Sequence, residues 1–262
     1  MATKNYEAIF KPLLAHPQEL ALRLKKESGL PGPRANLEIA AVLSRMAARA
    51  PEQGFYELAL PWALLSSEEA ETNTPEEYLT VVGIRILGGL YALSNTKRQQ
   101  TIRHLFEQRV VDTRWRSREA VAMALQDIGE AAFDEMVSIV TEWASGSRLF
   151  QRAVLVALAH PPFLNEERAI FALKIADGIL KEARWQEEEG RILKAAFEFA
   201  PSVYVTKAPK EGFALLRCWA SHADKTTLNI VAKNLRKSRL AKSFAEECLA
   251  VFEILQERSN EL

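Results

Sequence analysis

The chain has 262 residues, 48% of them hydrophobic, with 34 basic and 34 acidic side chains that cancel. That length is ample for a buried core, and zero net charge excludes nucleic-acid binding by bulk attraction, though not by a local basic groove. The two cysteines, Cys218 and Cys248, fall in helical patterns with no metal-ligand cluster, which predicts free thiols in a reducing, cytoplasmic setting.

The N-terminus, MATKNYEAIFKPLL, lacks the apolar core of a signal peptide, and no run approaches the roughly 20 apolar residues that span a bilayer. Residues 1–65 read as helices punctuated by proline. Tyr6 to Leu14 ends near Pro17, and Gln18 to Lys26 precedes a Gly/Pro turn through Gly29, Pro31, Gly32 and Pro33. A helix around Leu37 to Ala48 stops at Pro51, and Glu52 to Leu65 carries Pro61 as a kink or break. Ser66 to Glu77 is polar and acidic, a solvated loop or a flap. Glu77 to Leu93 is apolar on several sides. Its Gly83, Gly88 and Gly89 each cost roughly 1 kcal/mol against alanine in an exposed helix, which tight packing on a neighbouring helix would offset.

Two basic stretches follow. Residues 97–118 hold seven cations against Glu107 and Asp112. Residues 225–242 hold Lys225, Lys233, Arg236, Lys237, Arg239 and Lys242 with no acid between them. Either is a solvated helix face or part of an anion-binding groove. Between them, Asn165 to Ala183 and Trp185 to Ala200 read as helices, the second ended by Pro201, and Val203 to Thr206 reads as an extended connector. The final helix, Ala241 to Arg258, is expected to bury Cys248, Leu249, Phe252 and Leu255.

The pattern that organises these segments is WRSREAVAMALQDIG, Trp115 to Gly129. Asp112 and Thr113 suit an N-cap and Gly129 a C-cap. Ala120, Val121, Ala124, Leu125 and Ile128 make one apolar face. The register recurs: Leu90, Leu125, Leu158, Phe197 and Leu235 are 35, 33, 39 and 38 residues apart. Helix pairs at that period are the signature of an α-solenoid. The Trp-x-x-Arg-Glu-Ala-x-x-x-Ala-Leu run resembles the second helix of a HEAT repeat. The expected fold is all-α, a right-handed superhelix of HEAT-like or armadillo-like helix pairs in a single domain over 1–262. Residues 1–65 and 241–262 would cap repeats that occupy 75–240. Such a solenoid offers a concave face to a protein or to duplex DNA.

Catalytic signatures are sparse. His16, His104, His160 and His222 are scattered, and no HExxH, GxSxG or Cys-x-x-Cys occurs, so no metal or cofactor is expected. One constellation is more specific. Trp115 and Glu119 are four apart on one helix face, and Phe150-Gln151-Arg152 holds nearly the same place one repeat later. This is similar to the HEAT-like DNA glycosylases that excise alkylated purines. The resemblance implies that Glu119 stabilises positive charge on the sugar, that Trp115 contacts the lesion and that Arg152 holds phosphate. Arg114, Arg116, Arg118, Arg148, Phe150, Lys194, Lys233 and Arg236 would line the same DNA-binding surface. The chain departs from the pattern at Glu119, where the family has Asp, and at Glu198, where it has Trp. Without the resemblance, Arg118, Glu119 and Arg152 read as ordinary positions that bridge neighbouring repeats.

Overall fold

The computed structural model describes residues 5–222 and 224–261, and every regular element among them is helical. The first four residues of the expected N-terminal cap, and Leu262 of the C-terminal one, lie outside the described residues. Packing divides the chain into one unit ending at Val137 and another beginning at Ser138. No described helix is long and apolar enough to cross a membrane.

In the first unit, α1 (Tyr6–Phe10) runs into a 3₁₀ turn over Lys11–Ala15, and α2 (Pro17–Glu27) begins at the proline expected to stop a helix. Proline is tolerated there because the first helical N–H has no partner to lose. Asn36 caps α3 (Leu37–Arg49), α4 (Phe55–Leu64) carries Pro61 within it, and Thr74 caps α5 (Pro75–Leu90). Asn95 caps α6 (Thr96–Val110), and α7 (Trp115–Ala131) follows. Two capping expectations at α7 fail. Arg114 is the N-cap residue, and Asp112 instead accepts its backbone N–H at 2.8 Å. Gly129 is buried inside the helix, which runs on to Ala131.

The centre of this unit is α5, not α7. Every residue from Glu77 to Leu90 is buried, because α5 packs on α2, α3, α4 and α7. Its glycines explain how several backbones come so close. A Cβ on Gly83 would lie 2.7 Å from the Ala59 carbonyl of α4. On Gly88 it would lie 2.7 Å from the Ala124 Cα of α7, and on Gly89 2.5 Å from the Ser44 carbonyl of α3. Three glycines that weaken α5 as an isolated helix thus admit three neighbours. Arg85 then clamps α5 to α7 through both Asp127 oxygens, at 2.7 and 2.8 Å, and Ser44 donates to the same carboxylate from α3.

From α7 the chain continues through α8 (Phe133–Trp143) into α9 (Arg148–Leu158), α10 (Glu166–Lys181) and α11 (Glu188–Phe197). Within the second unit α9 packs on α11, the alternate stacking that a period of 33–39 residues predicts. The segment read as a connector is a short helix, α12 (Ala200–Val205), with Pro201 in its first turn. Its residues are wholly buried, and Tyr204 donates to the Leu155 carbonyl of α9 at 2.6 Å. The chain ends with α13 (Pro209–His222), α14 (Lys225–Leu235), α15 (Ser238–Ala241) and α16 (Ala245–Glu261). Asn234 ties this end together, accepting from Ser202 N–H at 2.8 Å and donating to the Phe197 carbonyl at 2.7 Å. On α16 the buried stripe is Cys248, Val251 and Leu255. Leu249, expected inside, is 63% exposed, because the helix turns its i+1 position outward.

The five anchors are all in the core: Leu125, Leu158, Phe197 and Leu235 at 0% exposure and Leu90 at 3%. Leu90, Leu158, Phe197 and Leu235 each close their helix, whereas α7 continues six residues past Leu125. The register is therefore structural as well as textual.

Candidate functional site

Trp115 opens α7 and stands 46% exposed, with the Arg116 guanidinium 4.5 Å from its ring centroid. Glu119 and Met123 follow at i+4 and i+8, so the three share one helix face. Together they form one wall of a pocket of about 300 Å³. The facing wall is the loop that enters α3, with Pro33, Arg34, Ala35 and Leu37, and Val81 of α5 completes the lining. Both walls are held. Arg116 donates to the Gly32 carbonyl at 2.8 Å and to Asn73 Oδ1 at 3.2 Å, while Gly32 N–H donates to the same Asn73 oxygen. Tyr78 Oη donates to the Asn36 carbonyl, and Met123 Sδ accepts from Arg85 at 3.3 Å.

The structure corrects the role expected for Arg114 and Arg116. Neither can reach a phosphate, because both are folded into the protein. Arg114 is 1% exposed and all five of its guanidinium N–H groups have acceptors. Nε and Nη2 grip Asp112 at 3.0 and 2.7 Å, and the remaining donors reach the carbonyls of Leu65, Ser66 and Ala70 at 2.9 to 3.1 Å. Burial pushes the Asp112 carboxyl up, but the hydrogen bonds and charge of Arg114, with Arg109 behind it, outweigh burial and hold the group below its ordinary value. Arg116 pairs with Glu77, itself 0% exposed, at 3.1 Å. These two arginines also pin the acidic segment after α4, which is therefore a fastened loop and not a flap.

The other four arginines of the first basic stretch also have partners within the chain, whereas Lys97 is exposed and makes no ion pair among the described residues. Arg98 meets Glu57 at 2.7 Å, Arg103 lies 3.7 Å from Glu107, and Arg109 meets Asp112 at 3.1 Å and the Ala63 carbonyl at 2.8 Å. Arg118 donates to the carbonyls of Asp112 and Thr113.

The other expected residues belong to the second unit. Arg152 is half-buried on α9. Phe150 stands edge-on to Trp143 with centroids 4.9 Å apart, a packing contact. Arg148 binds Gln151 Oε1 at 2.8 Å and the Glu182 carbonyl at 2.6 Å. It faces an open cleft of about 870 Å³ where Lys174 and Arg184 are balanced by Glu182, Glu187 and Glu189. Glu198 lies 3.9 Å from Lys194 and 2.8 Å from Lys233, so both lysines offered to DNA already have a carboxylate partner. Arg236 is exposed, 5.9 Å from the Phe252 ring centroid. Lys225, Arg239 and Lys242 are exposed and Lys237 is half-buried, and none of the four makes an ion pair among the described residues.

Of the residues lining this pocket, the sequence singled out Trp115, Arg116 and Glu119 but not Arg34, Leu37, Val81 or Met123. Met123 was within reach, since it continues the i, i+4 stripe. The loop wall was not, because it lies some eighty positions earlier.

No protein-family model matches the chain, and no curated protein matches it. Among solved structures it is similar to a designed armadillo repeat protein, at 13% identity over 83% of this chain and 99% of that one, with a TM-score of 0.33. It is also similar to an engineered protein, at 16% identity over 95% of this chain and 98% of that one, with a TM-score of 0.37. At such scores the fold reading rests on the helix packing itself.

Proposed function

We propose that the chain is a helical binding scaffold whose partner is an anionic macromolecule, met by residues 225–242. The difference between the two basic stretches carries this reading. Six of the seven cations of the first have an acceptor within the chain, all but Lys97, whereas four of the six of the second, Lys225, Lys237, Arg239 and Lys242, make no ion pair among the described residues. Cations near the C-terminus of α14 also complement its dipole, which accounts for Lys233 and Arg236 without a ligand. It does not account for Arg239 and Lys242, which lie beyond that helix.

The test is duplex DNA binding by fluorescence anisotropy across a salt series. Four phosphates neutralised by four cations give a slope of log K on log salt of roughly −3 to −4. Lys237→Glu, Arg239→Glu and Lys242→Glu combined should remove most of the binding and flatten that slope. Equal binding by the triple variant would rule out the stretch as the contact surface. Failure to bind DNA at low salt, with binding to poly-glutamate, would assign the surface to an acidic protein.

One observation favours a second reading, alkylated-purine glycosylase activity: Trp115 and Glu119 share a pocket. Wild type would then release free purine from methylated duplex. Glu119→Gln would abolish release while DNA affinity stayed nearly unchanged, since the carboxylate acts on the transition state. No release by wild type rejects it.

A further inference from the structure

The pocket on α7 has a lining and a rim that specify an occupant independently of the basic stretch. Leu37 and Trp115 are among the few large apolar side chains left exposed, at 47% and 46%, and they stand on opposite walls of this one pocket. Its volume of about 300 Å³ lies at the lower limit of small-ligand sites, roughly 300 to 1,000 Å³, which suits one ring-sized group.

The chemistry of the lining favours an aromatic ring over an aliphatic chain. Trp115 presents an indole face, and one cation, Arg116, already stacks on that ring. Aromatic partners gain from offset or edge contacts with such a face beyond the area they bury. Met123 presents a thioether, which favours the edge of a ring. Methionine is ordinarily adaptable, but here Arg85 holds its sulfur at 3.3 Å, and the buried Arg116–Glu77 pair holds the base of Trp115. Walls fixed before binding reduce the ordering cost of association.

The rim argues for a polypeptide. A free ring that filled the pocket would leave the outer surfaces of Leu37 and Trp115 in water. A chain continuing on both sides of an inserted ring would cover them, as neighbouring contacts cover an interface hot spot. Arg34, exposed on the loop wall, makes no ion pair among the described residues. A carboxylate next to the inserted ring would meet it there.

We propose that this pocket takes an aromatic side chain of a partner polypeptide, with an acidic neighbour paired to Arg34. The test follows the Trp115 indole N–H resonance in the full chain, assigned by its loss in Trp115→Ala. The probes are the capped pentapeptide Ala-Asp-Phe-Ala-Ala, its Leu-for-Phe and Lys-for-Asp versions, and free indole. The Asp-Phe peptide should give a saturable shift with a dissociation constant on the order of 1 mM or tighter. The Leu version should bind several-fold more weakly. Arg34→Glu should reverse the preference between Asp and Lys, and its unchanged thermal midpoint would show that the fold is intact. No saturable shift with the Asp-Phe peptide overturns the proposal, as does equal binding of Phe and Leu. Indole binding as tightly as the peptide, with no response to Arg34→Glu, would make this a small-molecule site instead. None of these outcomes bears on the DNA titration, which reads a different surface.

Discussion

Arg114→Ala should cost roughly 3–5 kcal/mol of unfolding free energy, as expected when one member of a buried ion pair is removed. The substitution leaves Asp112, 5% exposed at its side chain, without its main partner, and takes the Arg114 donors from the carbonyls of Leu65, Ser66 and Ala70, of which Ser66 keeps the Ala70 N–H at 3.0 Å. Arg114→Lys should recover only part of the loss, because three ammonium donors cannot replace five held in a planar fork. Urea unfolding with an unchanged m value measures both. The pH dependence supplies an independent check. In wild type the folded carboxyl of Asp112 is depressed, so its contribution is present above the unfolded value of about 4 and is lost as pH falls through the lower folded value. Without the Arg114 side chain, burial is opposed only by Arg109 and the backbone N–H of residue 114, and the folded value of Asp112 moves upward. The variant should therefore lose less stability on acidification through that range than wild type does. A variant that loses stability with acid as steeply as wild type would show that Arg114 does not hold Asp112.

Much of the fold was legible because periodicity records burial. Leu90, Leu125, Leu158, Phe197 and Leu235 are all in the core, and Gly83, Gly88 and Gly89 do mark close helix approaches. The misreadings of the arginines share one cause. A run of arginines looks the same in sequence whether its acceptors are phosphates or carbonyls contributed from far away in the chain. Besides Asp112, the acceptors of Arg114 are backbone carbonyls 44 to 49 residues earlier, and that of Arg116 at Gly32 is 84 earlier. Backbone carbonyls carry no residue identity, so nothing in the sequence marks them. The candidate pocket was half legible for the same reason. Its α7 wall is a local i, i+4 pattern, whereas Arg34 and Leu37 are brought to it only by the packing of α3 and its entry loop against α5. Pro201 misled differently: a proline that can end one helix can equally begin the next.

Leu125→Ala should cost roughly 2–5 kcal/mol, and the local geometry places it in the upper half of that range. The cost of a large-to-small change depends on how far the surroundings can collapse into the space left. Here they cannot collapse far. The α7 backbone beside Leu125 already abuts α5, since a Cβ on Gly88 would come within 2.7 Å of the Ala124 Cα. The Arg85–Asp127 clamp two residues further on fixes the helix separation and register. The two helices thus lack the freedom to approach, and most of the deleted volume should persist as a cavity. Leu93→Ala is the matched control, a leucine 56% exposed in the 3₁₀ turn that follows α5. It should change stability by about 0.5 kcal/mol or less. Urea midpoints for the two variants, compared at equal m, decide the matter. If Leu125→Ala lost no more than Leu93→Ala, the recurring leucine register would not mark the core.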